Sequence, residues 1–174
     1  MGRDKATILF RGRLLWQIQL EKLRKLEPEE ILVSARMDPS WRPHDVRFVA
    51  DIPPSRGPLS GLAASLDRVR TTHLLALAID MPWMTNEYLE FLCAQIVPGR
   101  GVVPYTGDRA EPLAAIYPRE AATEFRNALT GPDFSLQSVL RDLVASGKLW
   151  EQSVPEAHKK LFRNANVVSE LPST

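Results

Sequence analysis

The apolar positions of this chain change period several times, and each change marks an element. Leu14, Leu15, Ile18, Leu20, Leu23 and Leu26 recur near helical spacing, with Gln17, Lys22, Arg24 and Lys25 between them. Residues 14–26 therefore read as an amphipathic helix, closed by Pro28. Ile31-Leu32-Val33 and Val46-Arg47-Phe48-Val49 predict short strands, with the Pro39, Trp41, Pro43 stretch between them as surface loop. Gly57-Pro58-Leu59-Ser60-Gly61 opens a helix that reaches about Arg70, with proline near the start, where its missing N–H costs little. The run Leu74-Leu75-Ala76-Leu77-Ala78-Ile79 is continuous rather than alternating, which suits a central parallel strand covered on both faces. Thr85 is placed to cap a helix from Asn86 to Ile96, with Glu87 in its first turn. Val102-Val103 and Leu113-Ala114-Ala115-Ile116-Tyr117 add two strands, and helices follow near 118–129 and 135–146.

Short strands alternating with helices predict a three-layer α/β/α, Rossmann-like fold around a mostly parallel sheet. At 174 residues the chain fits one such domain, taken as residues 1–174, and two are not expected. Apolar residues at 44% and charged residues at 25% are ordinary globular values and argue against disorder. A net charge of +1 supplies no field directed at nucleic acid or a membrane surface. No apolar run approaches the roughly 20 residues of a membrane span, and the first residues lack the apolar core of a signal peptide. The single cysteine, Cys93, excludes an intramolecular disulfide and a multi-thiolate zinc site. A reducing cytoplasm is the simplest compartment.

Candidate chemistry begins where the apolar run stops, at Asp80-Met81-Pro82. In open α/β sheets ligands bind beyond the carboxyl ends of the strands. A carboxylate there suits magnesium, which takes one or two carboxylates together with substrate phosphates. The competing reading is an Asp that caps the next turn. Asn164-Ala165-Asn166 near the end of the chain is by itself a turn signal. His44, His73 and His158 stand at no ligand spacing, and Cys93 reads as a small buried thiol. Trp16, Trp41, Trp83 and Trp150 read as core and rim residues, since no basic patch surrounds them.

Several segments in order resemble the molybdenum cofactor guanylyltransferase family, a branch of the nucleotidyltransferases. Met1-Gly2-Arg3-Asp4-Lys5-Ala6 looks like the end of that family's signature loop, Gly-Gly-x-Ser-x-Arg-Met-Gly-x-Asp-Lys, and Phe10-Arg11-Gly12-Arg13-Leu14-Leu15 continues it. Asp51 followed by Gly57-Pro58-Leu59-Ser60-Gly61-Leu62 resembles the second element, and Ile79-Asp80-Met81-Pro82-Trp83-Met84-Thr85 the metal-binding element. Glu111-Pro112-Leu113-Ala114-Ala115-Ile116-Tyr117 and Asn164-Ala165-Asn166 resemble two later ones.

The resemblance implies a nucleotidyltransferase that moves GMP from GTP to molybdopterin and releases pyrophosphate. Lys5 and Asp80 are its implied catalytic residues. Lys5, Ser34, Asp51, Gly57, Gly61 and Asp80 would border the nucleotide, although Ser34 stands where the family usually has Asn. Magnesium would lie on Asp80 and Asn166, and Glu111, Pro112 and Asn164 would shape the acceptor side. Molybdoenzymes or their chaperones are implied as further partners, with no nucleic acid and no membrane. The matching region starts inside the signature loop, so the family's first strand and Gly-rich backbone are expected to be missing, leaving a slot in the sheet and weak GTP binding. The family's Asn-x-Asn-Thr-Pro-Glu tail becomes Asn164-Ala165-Asn166-Val167-Val168-Ser169. Two alternatives remain: an inactive homologue that binds the cofactor or a partner protein, and a cytidylyl or sugar-phosphate nucleotidyltransferase.

Overall fold

The computed structural model describes residues 4–165. The helical spacing after Leu14 becomes α1 (Leu15–Lys25), which buries Leu15, Gln19 and Leu20. It is preceded by a hairpin of β1 (Leu9–Phe10) and β2 (Arg13–Leu14). The two predicted strands that follow are β3 (Leu32–Ala35) and β4 (Arg47–Ala50), paired in parallel with Val33 opposite Phe48. Pro58 stands in the first turn of α2 (Pro58–Arg68), and the long apolar run becomes β5 (His73–Leu77). Thr85 caps α3 (Asn86–Cys93) by accepting a bond from the Tyr88 amide at 3.3 Å. The second half of the chain contributes β6 (Gly101–Thr106), β7 (Arg109–Ala110), β8 (Ala114–Pro118), α4 (Ala122–Thr130), α5 (Leu136–Ala145) and β9 (Leu149–Ser153). No described helix is long and apolar enough to cross a membrane.

The α/β architecture is as expected, but the sheet is mixed rather than mostly parallel. In the five-stranded sheet β8 lies between β5 and β6 and runs antiparallel to both, β7 is antiparallel to β6, and β9 alone adds in parallel. The cause is chain length between strands. From β6 through β7 to β8 there are too few residues for the helical crossover that a parallel return requires. The expectation for the apolar run is corrected as well. Its strand ends at Leu77 rather than Ile79, it pairs antiparallel with β8, and among the described residues its other edge has no strand partner.

The β5–β8 ladder divides the core. On one face Leu59, Leu66, Tyr117, Phe125 and Leu140 are buried between α2, α4, α5 and the sheet, with the Tyr117 and Phe125 rings edge to face at 5.1 Å. On the other, Met84, Leu89, Leu92, Val102 and Ile116 are buried with Phe162. Burying each such large side chain contributes on the order of 1.5–3 kcal/mol. Gly101 lets β6 and β8 approach, because a Cβ there would stand 1.9 Å from the Ile116 carbonyl oxygen.

One charge lies against this core. Lys22 donates to the Gln19 side-chain oxygen at 2.9 Å and to the Pro82 carbonyl at 2.8 Å. Burial pushes its ammonium down to about 8 from 10.5, against a smaller upward pull from Glu21. Above about pH 8 the native state therefore binds fewer protons than the unfolded chain, and stability rises with pH until the unfolded lysine also titrates. The urea midpoint is expected to rise between about pH 8 and about pH 10. That rise should be smaller in Lys22→Met, and an equal rise in both proteins would show that Lys22 is not the cause.

Candidate active site

After β5 the chain turns out of the sheet, and the β5–β8 register decides what meets there. The Ala78 amide donates to the Leu113 carbonyl at 2.7 Å, just beyond the Leu77–Ala114 pair. Asp80 and Glu111 consequently leave the ladder at the same end. The turn after β5 is held from α1: Gln19 Nε2 donates to the carbonyls of Ala78 at 2.7 Å and Met81 at 3.0 Å. Trp83 meets Phe10 edge to face at 5.0 Å, tying the Asp80 turn to the hairpin that follows Lys5.

Lys5 Nζ donates to Asp80 Oδ2 at 2.7 Å, with the lysine side chain 51% exposed and the carboxylate 13%. The last described residues meet the same turn. A 3-10 helix at Glu156–Phe162 leads to Ala165, whose amide donates to the Asp80 carbonyl at 2.7 Å. Asn164 is thereby placed beside Asp80. Asn166 lies outside the described residues.

A second group assembles beyond β3 and β4. Ser34 Oγ donates to Asp51 Oδ1 at 2.8 Å, and Ser55 Oγ to Asp51 Oδ2 at 3.4 Å. Gly61 of α2 lies against this pair, since a Cβ there would stand 2.6 Å from Ser34 Oγ and 3.3 Å from Asp51 Oδ1. Gly57 precedes the helix at φ +63°, a conformation that side chains disfavour. Asp4, Ser34, Asp51, Gly57, Gly61 and Ile79 line one cavity, so the two groups share a border. Leu113, which follows Glu111 and Pro112 in the chain, also lines it, while Glu111 and Pro112 do not. Thr106 Oγ1 donates to Glu111 Oε1, and burial raises the Glu111 carboxyl above the usual range against the pull of that bond. The Pro112 carbonyl accepts from the Tyr117 hydroxyl at 2.6 Å.

Three supporting residues escaped the sequence reading. Gln19 could have been found, because a polar residue one turn after Leu15 sits on the buried face of an amphipathic helix. Asp4 and Trp41 left no such signal. The Asp4 side chain caps the 3-10 turn at Lys5–Thr7 by accepting from the Ala6 amide at 3.0 Å, and its other oxygen accepts from Trp41 Nε1 at 2.8 Å. Trp41 is itself stacked on Trp16, with centroids 5.6 Å apart. These contacts hold the backbone on either side of Lys5.

The arrangement offers one cation, one largely buried carboxylate at a strand end, and a hydroxyl–carboxylate pair across a shared cavity. Residues 1–148 match the MobA-like NTP transferase domain. The chain belongs to that family. A probable molybdenum cofactor guanylyltransferase of Opitutus terrae is 31% identical over 169 residues, 95% of this chain and 84% of its own. Among solved structures, molybdopterin-guanine dinucleotide biosynthesis protein A of Archaeoglobus fulgidus aligns with TM-score 0.72 and 24% identity, covering 97% of this chain and 87% of its own. The Mycobacterium tuberculosis protein Rv0371C, solved in complex with manganese, shares the fold at TM-score 0.57 and 19% identity, covering 88% of this chain and 83% of its own.

Two outcomes are expected of this candidate site in a MobA-like chain. Gly61→Ala gains about 1 kcal/mol of helix propensity, but its Cβ meets Ser34 Oγ, and overpacking of this kind costs about 1–3 kcal/mol. Urea melts should show net destabilisation in Gly61→Ala, relieved when Ser34→Ala is added. Trp41→Phe keeps the stack on Trp16 and loses the bond to Asp4. Amide exchange at Ala6 is expected to quicken in this variant, and an unchanged rate would show that Trp41 does not hold the Lys5 turn.

Proposed function

We propose that this chain transfers GMP from GTP to molybdopterin, forming the guanine dinucleotide of the molybdenum cofactor and releasing pyrophosphate. The observation that carries the reading is the Lys5–Asp80 pair, 2.7 Å apart beyond the carboxyl end of β5. It stands in a chain of the MobA-like NTP transferase family. A terminal phosphate oxygen of molybdopterin attacks the α-phosphorus of GTP, and the bond from that phosphorus to the bridging oxygen of the leaving pyrophosphate breaks. The nucleophile is already anionic near neutral pH, so no side chain needs to take its proton. The task left to the protein is alignment and neutralisation of charge.

Lys5 supplies a mobile positive charge to the phosphates. Ser34, Asp51, Gly57 and Gly61 border the nucleotide, with Gly61 keeping the wall low enough for Ser34 and Asp51 to remain bonded. Glu111, Pro112 and Asn164 form the acceptor side, and Asn166 is assigned there or to the metal. The donor chemistry fits magnesium: Asp80 gives one carboxylate, and no group of three His, Cys, Asp or Glu among the described residues would hold an ion without substrate phosphates. When bound, the ion supplies Lewis acidity to the phosphoryl oxygens. In this reading residues 1–174 act as one nucleotidyltransferase-like domain in the cytoplasm, and molybdoenzymes or their chaperones receive the product.

Pyrophosphate release from GTP, with molybdopterin and magnesium present, tests the reading. Asp80→Asn and Lys5→Met should each lower the rate by about two orders of magnitude, in line with the loss of one preorganised electrostatic contact, while circular dichroism and the urea midpoint stay near those of the parent. An undiminished rate in Asp80→Asn would remove that carboxylate from the mechanism. Preference for CTP over GTP would transfer the chain to a cytidylyl activity.

A further inference from the structure

The hairpin of β6 and β7 delivers Glu111, and the register of that hairpin leaves one residue before it facing the other way. Tyr105 stands opposite Ala110 and Thr106 opposite Arg109. The Glu111 amide donates to the Pro104 carbonyl at 2.9 Å, so the next pair along is a bonded one. Because bonded and non-bonded pairs alternate along an antiparallel ladder, the N–H and C=O of Ala110 both turn away from β6. Ala110 is 1% exposed. Burial keeps water from these two groups, and each needs a partner within the protein.

A side chain supplies both. Gln137, in the first turn of α5, accepts from the Ala110 amide through Oε1 at 3.1 Å and donates from Nε2 to the Ala110 carbonyl at 2.9 Å. One carboxamide thus exchanges two bonds with one residue, as a residue of a neighbouring antiparallel strand would. The footing of this clamp lies on the other side of the site. Just before α5 the Asp133 side chain accepts from the Ser135 amide at 2.8 Å, and the Phe134 ring packs under the Arg56 guanidinium, 4.0 Å from its centroid. Arg56 stands between Ser55 and Gly57, and its amide donates to Ser60 Oγ at 2.8 Å. The chain entering α5 is therefore held against the loop of Ser55 and Gly57, and three residues after Phe134 it grips the residue before Glu111. Glu111 itself is drawn across the hairpin by the bond from Thr106 Oγ1.

We propose that Gln137 is a positioning residue: by clamping the Ala110 backbone it fixes Glu111, and with it the acceptor side, at a set distance from the nucleotide side. The consequence for the acceptor rests on the transferase reading, whereas the hold on Glu111 does not. Without the carboxamide, the two Ala110 groups regain partners only by swinging out to water, and β7 carries Glu111 with it. The Ser34–Asp51 pair stays in place, because its bond at 2.8 Å involves neither β7 nor α5. Loss of Gln137 therefore falls on one half of the site.

Gln137→Met in the intact 174-residue protein is the test. It keeps the length of the side chain and the helix propensity of α5, and it removes both bonds. Amide exchange is expected to quicken at Ala110 and Glu111 and to stay slow at Ala76 and Ala115 of the β5–β8 ladder. The KM for molybdopterin should rise at least about tenfold, since a misplacement of about 1 Å is enough for such a loss, while the KM for GTP stays unchanged. In a Glu111→Ala background the same substitution should no longer move the molybdopterin KM, because the two residues act through one contact. Unchanged exchange at Ala110 and Glu111 would overturn the clamp. An equal rise of the molybdopterin KM in both backgrounds, or a parallel rise of the GTP KM, would show that Gln137 does not act through Glu111 and would overturn its positioning role. Absence of transfer in the parent, with exchange quickened at Glu111 in the variant, would remove the transferase reading and leave the hold on Glu111 standing.

Discussion

The antiparallel ladder between β5 and β8 is the constraint on which the rest of this molecule depends. Side chains along it alternate faces, sending Ala76, Ala115 and Tyr117 into the core beneath α2, α4 and α5, and Leu75, Leu77, Ala114 and Ile116 into the core beneath α3. A slip of one residue would exchange the two sets, placing the Tyr117 ring on the wrong side of the sheet from Phe125. The same register sets the site. With Leu77 opposite Ala114, the bond from Ala78 to Leu113 completes the pairing, and Asp80 and Glu111 depart together. Packing and chemistry are therefore fixed by one set of backbone bonds.

What holds the Asp80 turn in place is mostly polar contact reaching across the fold. Gln19 takes two of its carbonyls and Lys22 a third, both from one helix. A buried carbonyl left without a donor costs about 1–3 kcal/mol, so these side chains confine the turn to one conformation. The turn in turn supplies the Asp80 carbonyl to the Ala165 amide. Three segments far apart in sequence, at Lys5, Asp80 and Asn164, meet because each is anchored to α1 or to the end of β5.

The sequence showed most of the elements and the residues of the candidate site that the structure brings together, for physical reasons that differ by residue. Periodicity made α1 legible, Pro58 marked the first turn of α2, and Thr85 named the start of α3 within a residue. The direction of β8 was not legible. Ala114-Ala115-Ile116-Tyr117 is buried on both faces, and continuous apolar character reports burial without reporting polarity of the chain. β9 was hidden for the opposite reason, since Trp150 and Glu151 are exposed and mask its pairing with Val102 and Val103. The two halves of the site were named from motif residues. Their bracing was not, because Trp41 reaches Asp4 across 37 positions of sequence, and no local pattern encodes such a contact.

The Lys5–Asp80 pair joins stability to function through its weakness. The lysine side chain is 51% exposed, and exposed pairs of this kind contribute about 0–1 kcal/mol. A strong buried pair would resist exchange, since separating it strands a charge away from water. Here the carboxylate is shielded and held while the cation stands at the rim. In the proposed reaction, handing Lys5 from Asp80 to an incoming phosphate would forfeit little, and would leave the Asp80 carboxylate to accept a different cation. Under the proposed transfer, the asymmetry in exposure between two partners 2.7 Å apart would let one pair supply two separate charges, the lysine to the phosphates and the carboxylate to a cation.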